Sequence, residues 1–498
     1  MVDAQRVGSP ASADPQRPFE ATTETGGPLG ATAPKLERAS TVTPTSGPRG
    51  DGSPNLDSRQ DCVDRSWQCF VGRAKSDVVA LDRNTENQKP SVVILGGDEL
   101  HGPMRDTHAV ARSLGSALAK AGWSIRTADR PGATADLVEA ARGEKDDIHI
   151  EAVGFDDADH HRTGATIRAS TLELGLRLLS NRADAFVVMP GGLHSLWEFA
   201  SVWTLARAGK IPKRDIVLVG SRDYWNAFLP QFIDAGITHN TIKPCYLNHE
   251  DGRPMVHFVD TTEEAMSIIG TAEHAREQHD VEDFAPKAVR DLEVLPAMMR
   301  KFKEAAVIYG GAGLRPEQAE YRFAETFGRL ATCAKRTGGG PGAMEAPLKG
   351  AKQSATLDGQ RREAINIILP SEQATNPHTD PEFTEQGETL EIRERMLMEK
   401  ALCHVFVGGG TGTLVELFQV WQLMALGEIP ERPIMVSPYY KDFVEAFKTE
   451  ALRCDYLTDR TAGFVQIYES PEDMAAAANA VQRRRKKQQR AGNPSLHG

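Results

Sequence analysis

A nine-residue pattern occurs twice in this chain, and no other feature restricts its fold as strongly. It reads Pro190-Gly191-Gly192-Leu193-His194-Ser195-Leu196-Trp197-Glu198 and, 218 residues later, Gly408-Gly409-Gly410-Thr411-Gly412-Thr413-Leu414-Val415-Glu416. The register continues beyond the glycines. Trp203 answers to Trp421, Gly209 to Gly427, and Ile211-Pro212 to Ile429-Pro430. Two earlier landmarks repeat in the same order. Residues 91–97 are echoed by 305–311 and residues 130–134 by 340–344, at offsets of 214 and 210. Unrelated units have no reason to keep Trp, Gly and Ile-Pro at one offset, so the halves read as an internal duplication.

Each copy alternates apolar runs with helical periodicity. The runs at 91–95, 183–189, 305–309 and 401–407 end at or just before glycines. After the last of them Leu414, Leu417, Phe418, Trp421 and Leu423 fall on or near one helical face. Strands that are apolar throughout and alternate with helices indicate a parallel sheet covered on both faces. The expected fold class is therefore α/β: two tandem Rossmann-like, doubly wound parallel-sheet domains related by duplication. The first is expected over 81–278 and the second over 304–480, joined by a linker and connecting helix at 279–303. Residues 1–80 are rich in Gly, Pro, Ser, Thr, Asp and Arg with almost no apolar periodicity, and are expected to form a disordered leader. Trp67-Gln68-Cys69-Phe70-Val71 is its one apolar patch. Residues 481–498 carry a basic run and are expected to be a disordered tail, a solvated helix end rather than an anion-binding surface.

A glycine turn that opens a helix suits one guest in particular. Glycine lets a ligand approach the backbone, and the helix start offers unpaired N–H groups and a positive dipole end, so phosphate fits. Glu416 stands one turn in, where a carboxylate faces the same cavity. Plainer readings exist for each part: glycines also serve tight strand–helix turns, and an acid near a helix start also complements the dipole.

Composition removes several classes. The net charge of −11 argues against a broad nucleic-acid surface. No apolar run approaches a membrane span, and the first residues lack an apolar signal core, so a cytoplasmic protein is expected. The six cysteines show no Cys-x-x-Cys spacing and no nearby His that completes a zinc pattern, which predicts reduced thiols and no metal.

The second half resembles the LOG (Lonely Guy) family of nucleoside 5′-monophosphate phosphoribohydrolases, part of which carries the label possible lysine decarboxylase. The resemblance covers about 305–470 and rests on two loops. One is Gly338-Gly339-Gly340-Pro341-Gly342-Ala343-Met344-Glu345-Ala346. The other is the 408–416 pattern, with Gly408 where the family has proline. Residues 366–373 and Asn376-Pro377 resemble the segment of the longer members. The family's catalytic arginine lies a short way before the second loop. Arg393 has that spacing, but the family's Arg-Lys pair is Arg-Glu here, so both Arg393 and Arg395 are candidates.

The resemblance implies hydrolysis of the N-glycosidic bond of a nucleoside 5′-monophosphate, without cofactor or metal. It implies Glu416 and Arg393 or Arg395 as catalytic residues. Gly310, Gly311, Gly339, Gly340, Gly342 and Met344 would bind nucleotide together with Gly409, Gly410, Thr411, Gly412 and Thr413. Family members assemble as dimers with sites near the interface, so the halves are expected to pair as an intrachain pseudo-dimer, with homo-oligomers beyond. No membrane or nucleic-acid partner is expected. In the first half, Gly-Thr has become His194-Ser195, the arginine position is Gly175 with Arg177 nearby, and Asp129-Arg130 replaces Gly339-Gly340. That half is expected to be a scaffold or a regulatory nucleotide site. A nucleotide-binding sensor without turnover is the competing function. An amino-acid decarboxylase would need a lysine-anchored pyridoxal phosphate, and nothing marks one.

Overall fold

The computed structural model describes residues 90–97, 105–128, 130–155, 167–169, 171–180, 183–219, 222–271, 284–367 and 374–491. The expected leader, Asp129, the linker residues 279–283, the segment 368–373 and the final residues 492–498 lie outside them.

The apolar runs become two parallel sheets. The first contains β1 (Ser91–Gly96), β2 (Ser124–Ala128), β3 (Ile150–Phe155), β4 (Ile167–Ala169), β5 (Ala185–Met189), β6 (Ile216–Leu218) and β7 (Val256–Phe258). The second contains β8 (Ala305–Tyr309), β9 (Ala334–Thr337), β10 (Arg362–Ile367), β11 (Thr384–Gly387), β12 (Ala401–Phe406), β13 (Ile434–Val436) and β14 (Val465–Ile467). Each sheet has seven strands, in the orders β4-β3-β2-β1-β5-β6-β7 and β11-β10-β9-β8-β12-β13-β14. Pairing is parallel throughout. The order reverses between β1 and β5, and again between β8 and β12. In open α/β sheets the crevice beyond the carboxyl ends of the strands at such a switch is where ligands bind. The 408–416 loop leaves β12 there, and the 338–346 loop leaves β9, on the other side of β8.

The duplication extends to buried charge. Arg126 on β2 meets Glu151 on β3 at 2.6 Å, and Arg336 on β9 meets Glu363 on β10 at 2.7 Å. Each pair ties neighbouring strands beneath the crevice, and a charge buried this deeply is tolerable only when paired.

The halves share a core. Helix Leu193–Arg207 is buried along nearly its whole length, as is helix Thr411–Ala425, and the two pack on each other. A helix apolar on every side has to be covered on every side, and each supplies part of the other's cover. Around them Phe228 contacts Phe447 (ring centroids 5.4 Å apart), Phe232 contacts Phe443 (5.4 Å) and Phe418 contacts Phe447 (5.2 Å). The connecting helix, Phe284–Lys301, docks through Asp291, whose carboxylate accepts from the Glu388 and Thr389 amides at 2.9 and 2.8 Å.

Residues 481–491, expected within a disordered tail, instead complete helix Pro471–Ala491. Two neighbours in the basic run are anchored to the second half: Arg485 pairs with Glu304 at 2.5 Å and Lys486 with Asp358 at 3.0 Å. Among the described residues no helix is long and apolar enough to cross a membrane.

One core group sets a pH dependence. His404 on β12 is buried with its Nδ1 3.0 Å from the Tyr309 hydroxyl. Burial, then the nearby Arg432 and Arg336, pushes its imidazole down to about 3. The unfolded chain takes up this proton near pH 6.5 and the folded chain does not. Stability is therefore full above about pH 6.5 and falls as pH drops toward 3, by up to about 1.4 kcal/mol per pH unit. Urea unfolding between pH 4.5 and 6.5 is expected to show a shallower acid slope for His404→Gln than for wild type. Equal slopes would refute the assignment.

Candidate functional site

The two loops of the second half are joined through the backbone of Gly311, just after β8. The Gly311 amide donates to the Gly408 carbonyl at 2.7 Å, and the Ala343 amide to the Gly311 carbonyl at 3.0 Å. A Cβ on Gly342 would stand 2.6 Å from the Gly311 oxygen, and one on Gly310 2.8 Å from the Gly408 oxygen. Gly310, Gly311 and Gly342 are thus needed for the close approach of one loop to the other. The Gly339 amide donates to Thr337 Oγ1 at 3.1 Å, while Asn376 Nδ2 donates to the carbonyls of Gly339 and Gly340, each at 3.0 Å. The expected cradle of first-loop amides is to that extent already engaged by the protein, and the Gly339 and Ala343 N–H groups are not available for phosphate.

The second loop keeps its donors. Gly410 is the N-cap of helix Thr411–Ala425 and offers no side chain to cap it. The amides of Thr411, Gly412 and Thr413 fall in the first turn, where no intrahelical acceptor exists. Thr411 Oγ1 is buried without a hydrogen-bond partner. Thr413 packs under Gly409, whose carbonyl accepts from the Tyr439 and Tyr440 hydroxyls at 3.1 and 3.2 Å. Part of this neighbourhood comes from the first half: the Thr241 carbonyl abuts Gly410, and Thr241 Oγ1 lies 2.6 Å from the Tyr439 hydroxyl.

Arg393 and Glu416 come together. Arg393 Nη1 lies 3.5 Å from Glu416 Oε1, and Arg393 Nε donates to the Ile365 carbonyl at 3.1 Å. Both side chains are nearly buried. The guanidinium lies over Gly338, where any Cβ would collide with it, and the Met344 thioether closes on the same spot. Arg395 departs from the site. Its Nη1 lies 3.9 Å from Glu428 Oε2, just beyond the far end of helix Thr411–Ala425. Glu394 is buried, and burial, then Glu416 and Glu391, pushes its carboxyl well above the usual carboxylate range. Tyr309 is likewise held as a phenol by burial and by Glu416.

The first half has the same backbone with different contents. Gly192 caps its helix with φ −79° and ψ −146°, against −96° and −147° at Gly410. Glu198 takes the place of Glu416. Its Oε2 accepts from the Gly96 amide at 2.7 Å, and its Oε1 lies 2.9 Å from His194 Nε2. Burial raises the Glu198 carboxyl, but His194, Arg130 and the Gly96 amide outweigh it and leave it below the ordinary value. The other imidazole nitrogen lies 2.5 Å from Gln422 Nε2 of the second half. Arg177 donates to the Lys210 carbonyl at 3.0 Å, a position that mirrors Arg395 at Glu428. The twin arginines Arg177 and Arg395 therefore hold helices in both halves, and Arg393 has no twin.

Gly338, Asn376, Tyr439, Tyr440 and Thr241 belong to this neighbourhood and were not among the sequence candidates. Gly338 and Asn376 stood inside quoted motifs. The tyrosines and Thr241 carried no local signal. Among the described residues no group of three or more His, Cys, Asp or Glu is placed to hold a metal.

The sequence model of the family described as possible lysine decarboxylase matches residues 132–269 and, a second time, 344–478. The chain belongs to this family. It is the LOG family named above, and the match falls once in each half. Among its relatives is the cytokinin riboside 5′-monophosphate phosphoribohydrolase of Mycobacterium tuberculosis, 28% identical over 146 residues, spanning 27% of this chain and 78% of that one. The enzyme of the same description from Mycobacterium marinum is 25% identical over 138 residues, spanning 26% and 74%. A solved structure of the molybdenum cofactor carrier protein from Chlamydomonas reinhardtii aligns at 18% identity over 37% of this chain and 98% of that chain, with a TM-score of 0.25.

Proposed function

We propose that the second half hydrolyses the N-glycosidic bond of nucleoside 5′-monophosphates to free base and ribose 5-phosphate. The observation that carries this reading is the Arg393–Glu416 pair, 3.5 Å apart beside an uncapped helix start. The first-turn amides and Thr411 hold the 5′-phosphate, and this remote grip positions the sugar. Water adds to C1′ as the bond to the base nitrogen breaks. The bonding electrons leave with the base, which takes up a proton. The ribose carries positive charge in between, and the Glu416 carboxylate stabilises it. Arg393 assists departure of the base. The relatives named above support the substrate class.

The halves are read as packing in the way two subunits of a dimer would, with residues 81–278 as scaffold and 304–480 carrying the site. The first half suits the scaffold role because His194 occupies Glu198 and Gly175 replaces the arginine.

Incubation with AMP, GMP, CMP, UMP and a cytokinin nucleotide, reading out ribose 5-phosphate, tests the reaction. Arg393→Ala is expected to lower kcat/KM by at least about 10²-fold, the scale for losing a group that stabilises developing charge. Arg395→Ala is expected to cost thermal stability and less than about tenfold in activity, because it removes an ion pair away from the chemistry. Equal losses in the two variants would refute the assignment. Tight binding without turnover of any nucleotide would favour the sensor.

A further inference from the structure

Gly412 has no steric reason to be glycine. A Cβ built on it meets nothing nearer than Arg207 Nη2 at 3.8 Å and Thr204 Cγ2 at 3.9 Å. Its φ is not positive. Its neighbours differ: Thr413 already fills the Cβ position of Gly409, and the Thr241 carbonyl that of Gly410. Both groups facing Gly412 come from the first half, at the end of helix Leu193–Arg207.

The first half shows what occupies the equivalent volume when no ligand uses it. His194 stands in the place of Gly412, and its ring bridges Glu198 and Gln422. Counted by the 218-residue offset, Glu198 corresponds to Glu416 and Gln422 to Thr204. The imidazole therefore marks a position whose counterpart lies between Glu416 and Thr204, where the Arg207 guanidinium and the Thr204 methyl face Gly412. Arg207 lies one turn beyond Thr204 on the same helix face.

Arg207 is half-buried and unneutralised. Its guanidinium rests over the Tyr246 ring at 5.1 Å, and among the described residues no acidic side chain pairs with it. Thr204 is 4% exposed and its Oγ1 has no hydrogen-bond partner. Thr411 Oγ1, at the start of the facing helix, is likewise buried without a partner. A half-buried cation without a carboxylate, facing the first turn of a helix whose Thr411 hydroxyl is buried and unpartnered, makes a receptor for an anion.

We propose that Arg207 of the first half is a phosphate-binding residue of the second half's site. The inference rests on the reaction proposed above. It makes the first half a working part of the site, since the second half has Ala425 at the corresponding position.

The test uses the full chain and ribose 5-phosphate, a probe independent of the base, with affinity read by calorimetry. Arg207→Gln is expected to weaken binding at least tenfold, the range for losing a charge-assisted hydrogen bond, about one decade or more. Arg207→Lys restores part of the loss because the charge remains. Arg207→Met keeps the stem over Tyr246 and gives the same loss as glutamine should the polar variant fold poorly. Neutral variants that bind as wild type does, or a lysine variant no better than glutamine, overturn the proposal while the hydrolase reading stands. Wild-type protein that binds no ribose 5-phosphate overturns the proposal, while release of ribose 5-phosphate from nucleotides decides the hydrolase reading separately.

Discussion

Replacing Glu416 with glutamine is expected to lower turnover of a nucleoside 5′-monophosphate by about 10²- to 10⁴-fold, the range for losing one positioned catalytic carboxylate. Affinity is expected to stay within a few-fold. Glutamine keeps the shape of a side chain packed in a nearly closed position. What it removes is the negative charge, and on the proposed reaction that charge matters most when the ribose becomes cationic. The phosphate contacts lie elsewhere, at the first turn of helix Thr411–Ala425, so ground-state binding has no reason to fail. Arg393 loses the partner at 3.5 Å, yet its bond to the Ile365 carbonyl still holds the guanidinium in place. Single-turnover kinetics beside equilibrium binding separates the two effects. A kcat within tenfold of wild type would remove Glu416 from the chemistry, and a loss confined to KM would make it a binding residue only.

The duplicated glycine pattern carried much of the fold. β1, β5, β8 and β12 are the long apolar runs, and the switch points between them follow from the parallel alternation. The outer strands were less legible because they bury little. β11 reads Thr-Glu-Gln-Gly, and both β7 and β14 have three residues each. The choice between Arg393 and Arg395 was beyond the sequence for a geometric reason. Residues two apart on a helix project to opposite sides, and only the packed structure says which side faces Glu416 and which Glu428. Glu391 and Glu394 gave this segment a solvated look. In the fold every residue of helix Leu390–Met398 is buried, because the connecting helix and the first half cover it. Arg177 from the first half is among the charges nearest Glu391. A local reading cannot supply a cover that comes from two hundred residues away.

Gly412→His transplants the first half's residue into the second half's loop, and it is expected to abolish nucleotide binding without costing the fold. The backbone permits it. Gly412 has no positive φ, and a Cβ there meets nothing within 3.8 Å. Histidine is also a better helix former than glycine, by a few tenths of a kcal/mol. The melting temperature should therefore hold. The new ring has a ready seat, because His194 shows its two contacts on the same backbone: one nitrogen on the glutamate a turn ahead, the other on the facing helix. In the second half those contacts become Glu416 and Thr204, and the ring takes the position that Arg207 and Thr204 face. Affinity for ribose 5-phosphate should fall by at least about 10²-fold, since the ring displaces the ligand and its contact with Glu416 must be broken before the ligand can return. The experiment discriminates because two quantities move independently. Lost binding with an unchanged melting temperature identifies the volume as the ligand's. Retained binding would mean that the ring has found another rotamer or that the nucleotide lies elsewhere. A structure of the variant with the introduced imidazole seated on Glu416 and ribose 5-phosphate still bound would decide for the latter, and the symmetry argument that leads from His194 to Arg207 would fall with it.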